Sequence, residues 1–237
     1  MSDSPPPPQA PPDPQAGPTP QALGIRPAWD LFTPGGMRLA LAAGFVALAA
    51  SAASIALFDR RVALWVEALD PAQRRWAYQW TDLAKGEVPI VGGLLAAAGL
   101  ALARRRVAAR WALVLAGGAA LGGILSNLFK LIFGRARPKM LITEDLFGFQ
   151  AFTLGYDFNS FPSGHSTISG AMAGVMLLAS RRWGWLGLPL GGALATTRIF
   201  TNSHYIADVI AGFLLGLLSA AATASWVRRW PAIRAPR

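Results

Sequence analysis

The chain has 237 residues, 53% of them hydrophobic and only 14% charged, a composition too apolar for an ordinary soluble domain. It contains no cysteine, which excludes a disulfide framework and a thiolate metal site. The net charge of +10 raises the question of a nucleic-acid partner, but the cations fall mainly at the ends of apolar runs, so the basicity reads as membrane orientation and no nucleic acid is expected.

Residues 1–20 contain nine prolines and no apolar period, and segment 1–36 is predicted to be a disordered cytoplasmic N-terminal segment. The start does not resemble a secretory signal: its apolar run begins only near Leu39, with no basic segment at the extreme N-terminus. Leu39–Phe58 then gives 20 residues without a charge, long enough to span a bilayer. Asp59–Glu87 is polar, with Trp65, Trp76 and Trp80 interspersed. Asp70 followed by Pro71 reads there as a helix cap and a first-turn proline, which predicts a short amphipathic helix at the interface.

Further spans are predicted at Val88–Ala103, Val107–Phe129, Gly164–Ala179, Trp183–Thr197 and Tyr205–Val227. The second, fourth and fifth of the six are shorter than the roughly 20 residues a bilayer usually demands, which a polar site cut into their outer ends would explain. The expected architecture is therefore all-α: a polytopic membrane protein with a six-transmembrane-helix bundle over 37–228 and a basic cytoplasmic tail over 229–237.

Six spans place both termini on one side, with 12 Lys/Arg and 3 acids, against 10 Lys/Arg and 9 acids on the other. The positive-inside rule makes the termini cytoplasmic. GxxxG spacings at Gly118–Gly122, Gly170–Gly174, Gly187–Gly191 and Gly212–Gly216 predict close packing within the bundle, and say nothing of oligomeric state.

Three stretches carry chemistry. In Asn159–Ser169, Pro162 stops the incoming loop, Ser163 is placed to cap the following helix, and Gly164 allows close approach to the backbone. The free N–H groups of such a helix start form an anion site, and His165 stands in its first turn. Taken alone, this stretch is equally a capped membrane helix with a chance histidine. Upstream, an apolar run ends in four cations: Lys130, Arg135, Arg137 and Lys139. Downstream, Arg198 is followed by His204 and Asp208, and the chain's two histidines both lie in these stretches. Lys130, Arg137 and Arg198 can surround one phosphate, the guanidinium forks giving paired bonds and the ammonium a compact charge. Arg135 and Lys139 are read instead as snorkelling interfacial cations. His204 and Asp208 are four apart and share a face on a helix, so Asp208 is expected to take the Nδ1–H of His204 and leave Nε2 a lone pair. A structural His–Asp clasp is the bland alternative.

The order K-x6-RP, PSGH, R-x5-H-x3-D resembles the three-part signature of the type 2 phosphatidic acid phosphatase family, whose site is shared with vanadium-dependent haloperoxidases. The resemblance covers about residues 37–228, with one departure, Thr197 where the family usually has Ser. It implies that His204 attacks phosphorus to form a phosphohistidine, that Asp208 orients it, and that His165 protonates the leaving oxygen. It further implies that Lys130, Arg137, Arg198, Ser163 and the Gly164 N–H hold the phosphate oxygens, with no metal and no cofactor. The expected function is an integral membrane phosphatase acting on a lipid phosphate monoester or diphosphate at the outer face of a bacterial inner membrane. The rival readings are a vanadate-dependent haloperoxidase and a non-catalytic lipid-phosphate carrier.

Overall fold

The computed structural model describes residues 29–153 and 155–229, without the Arg181 side chain. Most of the predicted N-terminal segment and nearly all of the predicted basic tail lie outside the described residues. Among the described residues nine α-helices follow one another: α1 (Pro34–Leu57), α2 (Asp59–Glu67), α3 (Pro71–Thr81), α4 (Glu87–Leu102), α5 (Arg106–Phe133), α6 (Pro138–Glu144), α7 (Gly164–Ala179), α8 (Arg181–Phe200) and α9 (Ile206–Arg229). Four helical stretches are long and apolar enough to cross a membrane: Pro34–Leu57, Pro71–Leu102, Arg106–Phe133 and Ile206–Arg229.

The centre of the fold is α7, which packs on α5, α8 and α9. Its buried face is made of small and hydroxylated residues, Ser166, Thr167, Ser169, Gly170, Ala171, Ala173 and Gly174 among them. Thr167 and Ser169 return their hydroxyls to the carbonyls of Ser163 (2.9 Å) and His165 (3.0 Å), which satisfies them without a partner from another helix. Small side chains let backbones meet. A Cβ at Gly212 or Gly216 would run into the α7 backbone at Ser163 and Thr167, and one at Gly170 into the Phe213 carbonyl. The other two GxxxG pairs face Ala220, Ser219 and Thr167 from α5, and Met176 and Ala173 from α8. The expected packing within the bundle is what these glycines do.

Three local differences from the sequence reading bear on the site. The 59–87 segment holds two helices and a 3-10 turn rather than one short helix; the Asp70 cap and first-turn Pro71 are as expected, with a reciprocal Gln73 bond. Helix α3 also packs against α8, and Trp76 meets Phe200 at 5.1 Å between ring centroids, so this segment is part of the body as well as its rim. Helix α5 runs on to Phe133, past the predicted end at Phe129, which puts Lys130 in its last turn. Gly134 stops it there with φ +56°, and a Cβ at that position would strike the Gln150 carbonyl.

Candidate active site

Four chain segments converge at one end of α7. After α5, the chain loops out through α6 and returns, held by Arg137 N–H to Asp157 O (2.8 Å) and Ser160 N–H to Arg135 O (3.1 Å). It enters α7 at Ser163, whose N–H donates to the Asp208 carbonyl at 3.0 Å and so ties the start of α7 to the start of α9. Arg198 closes α8, and its carbonyl accepts the N–H groups of Ser203 and His204, both at 3.2 Å. Those bonds shape the turn that presents His204.

The predicted cation trio is brought together here. Arg137 is buried and clamped by three carbonyls, those of Tyr156 (2.9 Å), Ser203 (3.1 Å) and Asn159 (3.3 Å), with its guanidinium 4.1 Å from the Tyr156 ring centroid. Arg198 donates to the Thr81 hydroxyl at 2.9 Å and keeps a buried Nε without a partner. The Lys130 ammonium makes no hydrogen bond among the described residues; its Nζ lies beside Gly164, 3.5 Å from where a Cβ would stand. Lys130, Arg137 and Arg198 are close enough to repel one another, and among the described residues none has a carboxylate within ion-pair distance. Partly desolvated cations without counter-charges are costly. They describe a place for an anion.

His204 lies in the turn before α9, not on the helix with Asp208 as expected. Its Nδ1 is 2.8 Å from the Ser160 carbonyl oxygen. A carbonyl can only accept, so Nδ1 carries the proton and Nε2 keeps the lone pair. The Asp208 carboxylate stands further off, with Oδ2 3.6 Å from Nδ1. The expected tautomer is therefore present, but the group that fixes it is the Ser160 carbonyl. Burial pushes the His204 pKa down to about 3, against the opposing pull of Asp208, so the ring is neutral at ordinary pH. His165 is half-buried in the first turn of α7, its ring without a hydrogen bond among the described residues.

The Ser163 hydroxyl is fully buried and occupied by Ser166, whose Oγ lies at 2.9 Å. That hydroxyl accepts from Ser166 and can still donate its own proton, and beside it the start of α7 offers an anion the N–H groups of Gly164 and His165. Thr197, where the signature usually has Ser, turns its hydroxyl back to the Leu194 carbonyl at 2.6 Å and is buried away from the cations.

Arg135 corrects the sequence reading. It does not snorkel: it is fully buried, donating to Asp208 Oδ1 (2.5 Å) and Asp59 Oδ2 (2.8 Å). An apolar run ending in several cations gives no sign of which one folds inward, and here the carboxylates that draw it in lie 76 and 73 residues away. Lys139 stays exposed, 3.9 Å from Asp157, as expected. Three further contributors were not legible as site residues: Asp59, Ser160 and Thr81. Only Asp59 left a signal, as a carboxylate placed directly after an uncharged run.

The arrangement can do phosphoryl chemistry: a neutral imidazole with a fixed lone pair, a second imidazole, and a cradle of cations and amides for oxygens. A family model of the PAP2 superfamily matches residues 111–232. Lipid A 1-phosphatase of Rhizobium etli is 39% identical over 94 residues, 40% of this chain and 40% of that protein. Undecaprenyl-diphosphatase of Sulfolobus acidocaldarius is 41% identical over 58 residues, 24% of this chain and 28% of that protein. The match thus spans less than half the length of each of these relatives. The crystal structure of a PAP2-type phosphatidylglycerolphosphate phosphatase from Bacillus subtilis superposes with a TM-score of 0.56 at 16% identity, covering 82% of this chain and 98% of that one, a likeness of fold.

Proposed function

Because the chain belongs to the PAP2 superfamily, whose model covers just over half of it, we propose that it is an integral membrane phosphatase that hydrolyses a lipid phosphate or diphosphate. The observation that carries this reading is the trio Lys130, Arg137 and Arg198, with no carboxylate at ion-pair distance among the described residues and gathered with the two histidines. A carrier would need the cations alone; the histidine with a fixed lone pair favours turnover.

In the proposed reaction His204 Nε2 forms a bond to phosphorus as the bond to the lipid oxygen breaks, and His165 delivers its proton to that oxygen. The neutral His165 then takes a proton from water as the water oxygen bonds phosphorus and the N–P bond breaks. Both histidines are restored and inorganic phosphate leaves. The cations and the α7 N–H groups hold the oxygens that gain charge in each transition state.

Six spans are proposed: the four long stretches with α7 and α8 completing the bundle. Helix α5, with 28 residues, is about 42 Å long against a hydrocarbon core of about 30 Å, so it can carry Lys130 to the bilayer edge. The proposed orientation has cytoplasmic termini and a site facing outward from a bacterial inner membrane. Impermeant thiol labelling of intact cells tests it: Glu144→Cys should react and Arg105→Cys should not, and the reverse pattern would move the site to the cytoplasm.

Phosphate release by the purified full chain tests the activity, with lipid A, undecaprenyl diphosphate, phosphatidic acid and phosphatidylglycerophosphate as substrates. Release is expected to survive EDTA and to be inhibited by orthovanadate. No release from any of these lipids would overturn the reading, and bromide oxidation with vanadate and peroxide would replace it.

A further inference from the structure

We infer that Asp59, Arg135 and Ser160 are positioning residues that lock His204 in its reactive tautomer, so that the α1–α2 junction completes the site from outside the family-matched region. The inference rests on the proposed function for the role of His204, while the bonds that carry it stand by themselves.

Ser160 is held at two points, by Arg135 and by Asp208. Its N–H donates to the Arg135 carbonyl at 3.1 Å, and its Oγ donates to Asp208 Oδ2 at 2.6 Å, while Asp208 Oδ1 accepts from the Arg135 guanidinium at 2.5 Å. These contacts close a ring, and the Ser160 carbonyl that projects from it takes the Nδ1 proton of His204 at 2.8 Å. The Cα that bears that carbonyl is therefore held through both its N–H and its side chain. The guanidinium is also stacked 4.3 Å from the ring centroid of Tyr205, the residue next to His204.

Asp59 anchors the other end. Its Oδ2 accepts from Arg135 Nη2 at 2.8 Å, and its Oδ1 accepts from the Ser54 hydroxyl at 2.6 Å and from the Ala207 N–H at 3.2 Å. The Ser51 hydroxyl reaches the Ala207 carbonyl at 3.3 Å. The first turn of α9, which carries Asp208, is thus pinned by α1 and α2. Asp59 precedes the family-matched residues 111–232.

Stability alone does not account for such a cluster. A buried ion pair or triad is commonly no more stabilising than apolar residues of the same volume. What it supplies is fixed geometry, and both side chains of the triad's carboxylates are fully buried with every oxygen used.

The test uses the full chain, tag removed, in detergent micelles. With His165→Gln as background, His204 is the one histidine left, and ¹⁵N-histidine labelling reads its two ring nitrogens directly. The parent should show one protonated and one bare nitrogen, with Nδ1 protonated. Asp59→Asn and Arg135→Lys should each lose that fixed state and give averaged signals. In the native His165 background the same substitutions should lower kcat by about 10–100-fold, the usual effect of removing a group that orients a reactive side chain from behind, with KM little changed. Exposed Arg60, paired with Asp145, supplies the control, and Arg60→Ala should match the parent in both readouts. If Arg135→Lys does not fold, Ser160→Ala, which removes only the bond to Asp208, takes its place. An unchanged Nδ1–H tautomer and a parental kcat in folded Asp59→Asn and Ser160→Ala would overturn the inference. A parent that releases no phosphate would sink the functional reading instead and leave the tautomer measurement to decide this one.

Discussion

The cluster around Arg135 and the cradle around Arg137 are built from the same residue type two positions apart, yet one is closed and the other open. Arg135 spends its charge on Asp59 and Asp208, all three fully buried. Among the described residues Arg137, Lys130 and Arg198 have no carboxylate at ion-pair distance, and Arg137 is steered by carbonyl oxygens that orient a guanidinium without neutralising it. The difference teaches that a cation's role here follows from its partners. The closed cluster sets geometry and the open cradle waits for an anion. Damage to each should therefore show in different measurements.

The largest expected effect falls where the two regions meet. His204→Ala should be inactive on a lipid phosphate and on p-nitrophenyl phosphate alike, and should retain no labelled phosphate after acid-free quenching, because attack is needed whatever leaves. Residual turnover that retains label would assign the nucleophile elsewhere. His165→Ala should lose about 10²–10⁴-fold on the lipid and recover in part on the nitrophenyl ester, whose leaving group needs little help from an acid. Recovery by His204→Ala instead would reverse the two roles.

Within the cradle, Arg137→Ala and Arg198→Ala should each cost about 10²–10³ in kcat, as for the loss of one donor to a developing oxyanion. A stability measurement then sharpens the contrast. Arg135→Gln leaves two buried carboxylates without a counter-charge and should lower unfolding stability by about 3–5 kcal/mol, if it folds at all. Lys130→Met should leave the melting temperature of the free protein unchanged or higher, since the repulsion of Lys130 by Arg137 and Arg198 outweighs the pull of the more distant Asp208, while abolishing stabilisation by vanadate. Equal melting losses in the two variants would erase the distinction drawn here.

The smallest effect is on acid stability. Folded His204 takes a proton only near pH 3, whereas an unfolded histidine takes one near pH 6.5. Between those values the unfolded chain binds more protons, so stability should fall as pH drops through that window. His204→Gln should flatten this slope; an unchanged slope would assign it to other groups.

Much of the cradle was legible because its residues stand at fixed spacings beside helix ends. Lys130, Arg137, His165, Arg198, His204 and Asp208 are gathered as the motif order implied, and Asp70–Pro71 begins a helix where expected. The closed cluster was not legible. Asp59 and Arg135 are joined across 76 residues, and nothing in either local pattern marks the other as its partner. The Ser160 carbonyl was equally hidden, since every residue carries one and only the fold selects which is used. The segment 139–160 could not be read either: it holds the short α6, a 3-10 turn at Tyr156–Phe158 and scattered long-range bonds such as Gly148 O to the Ala136 N–H.

The order in which the chain supplies these groups has a consequence for its birth in the membrane. Asp59 and Arg135 are synthesised early, whereas Asp208 arrives only with α9, the last helix described. Until that helix inserts, Arg135 has half of its counter-charge, the start of α7 lacks the carbonyl that takes the Ser163 N–H, and Gly170 faces no neighbour. The nascent protein therefore carries part of the cation cradle before the proposed nucleophile is in place. Arrival of α9 seats Asp208 beside the His204 turn and closes the helix packing in one event, so on the proposed function hydrolytic competence and completion of membrane insertion would coincide.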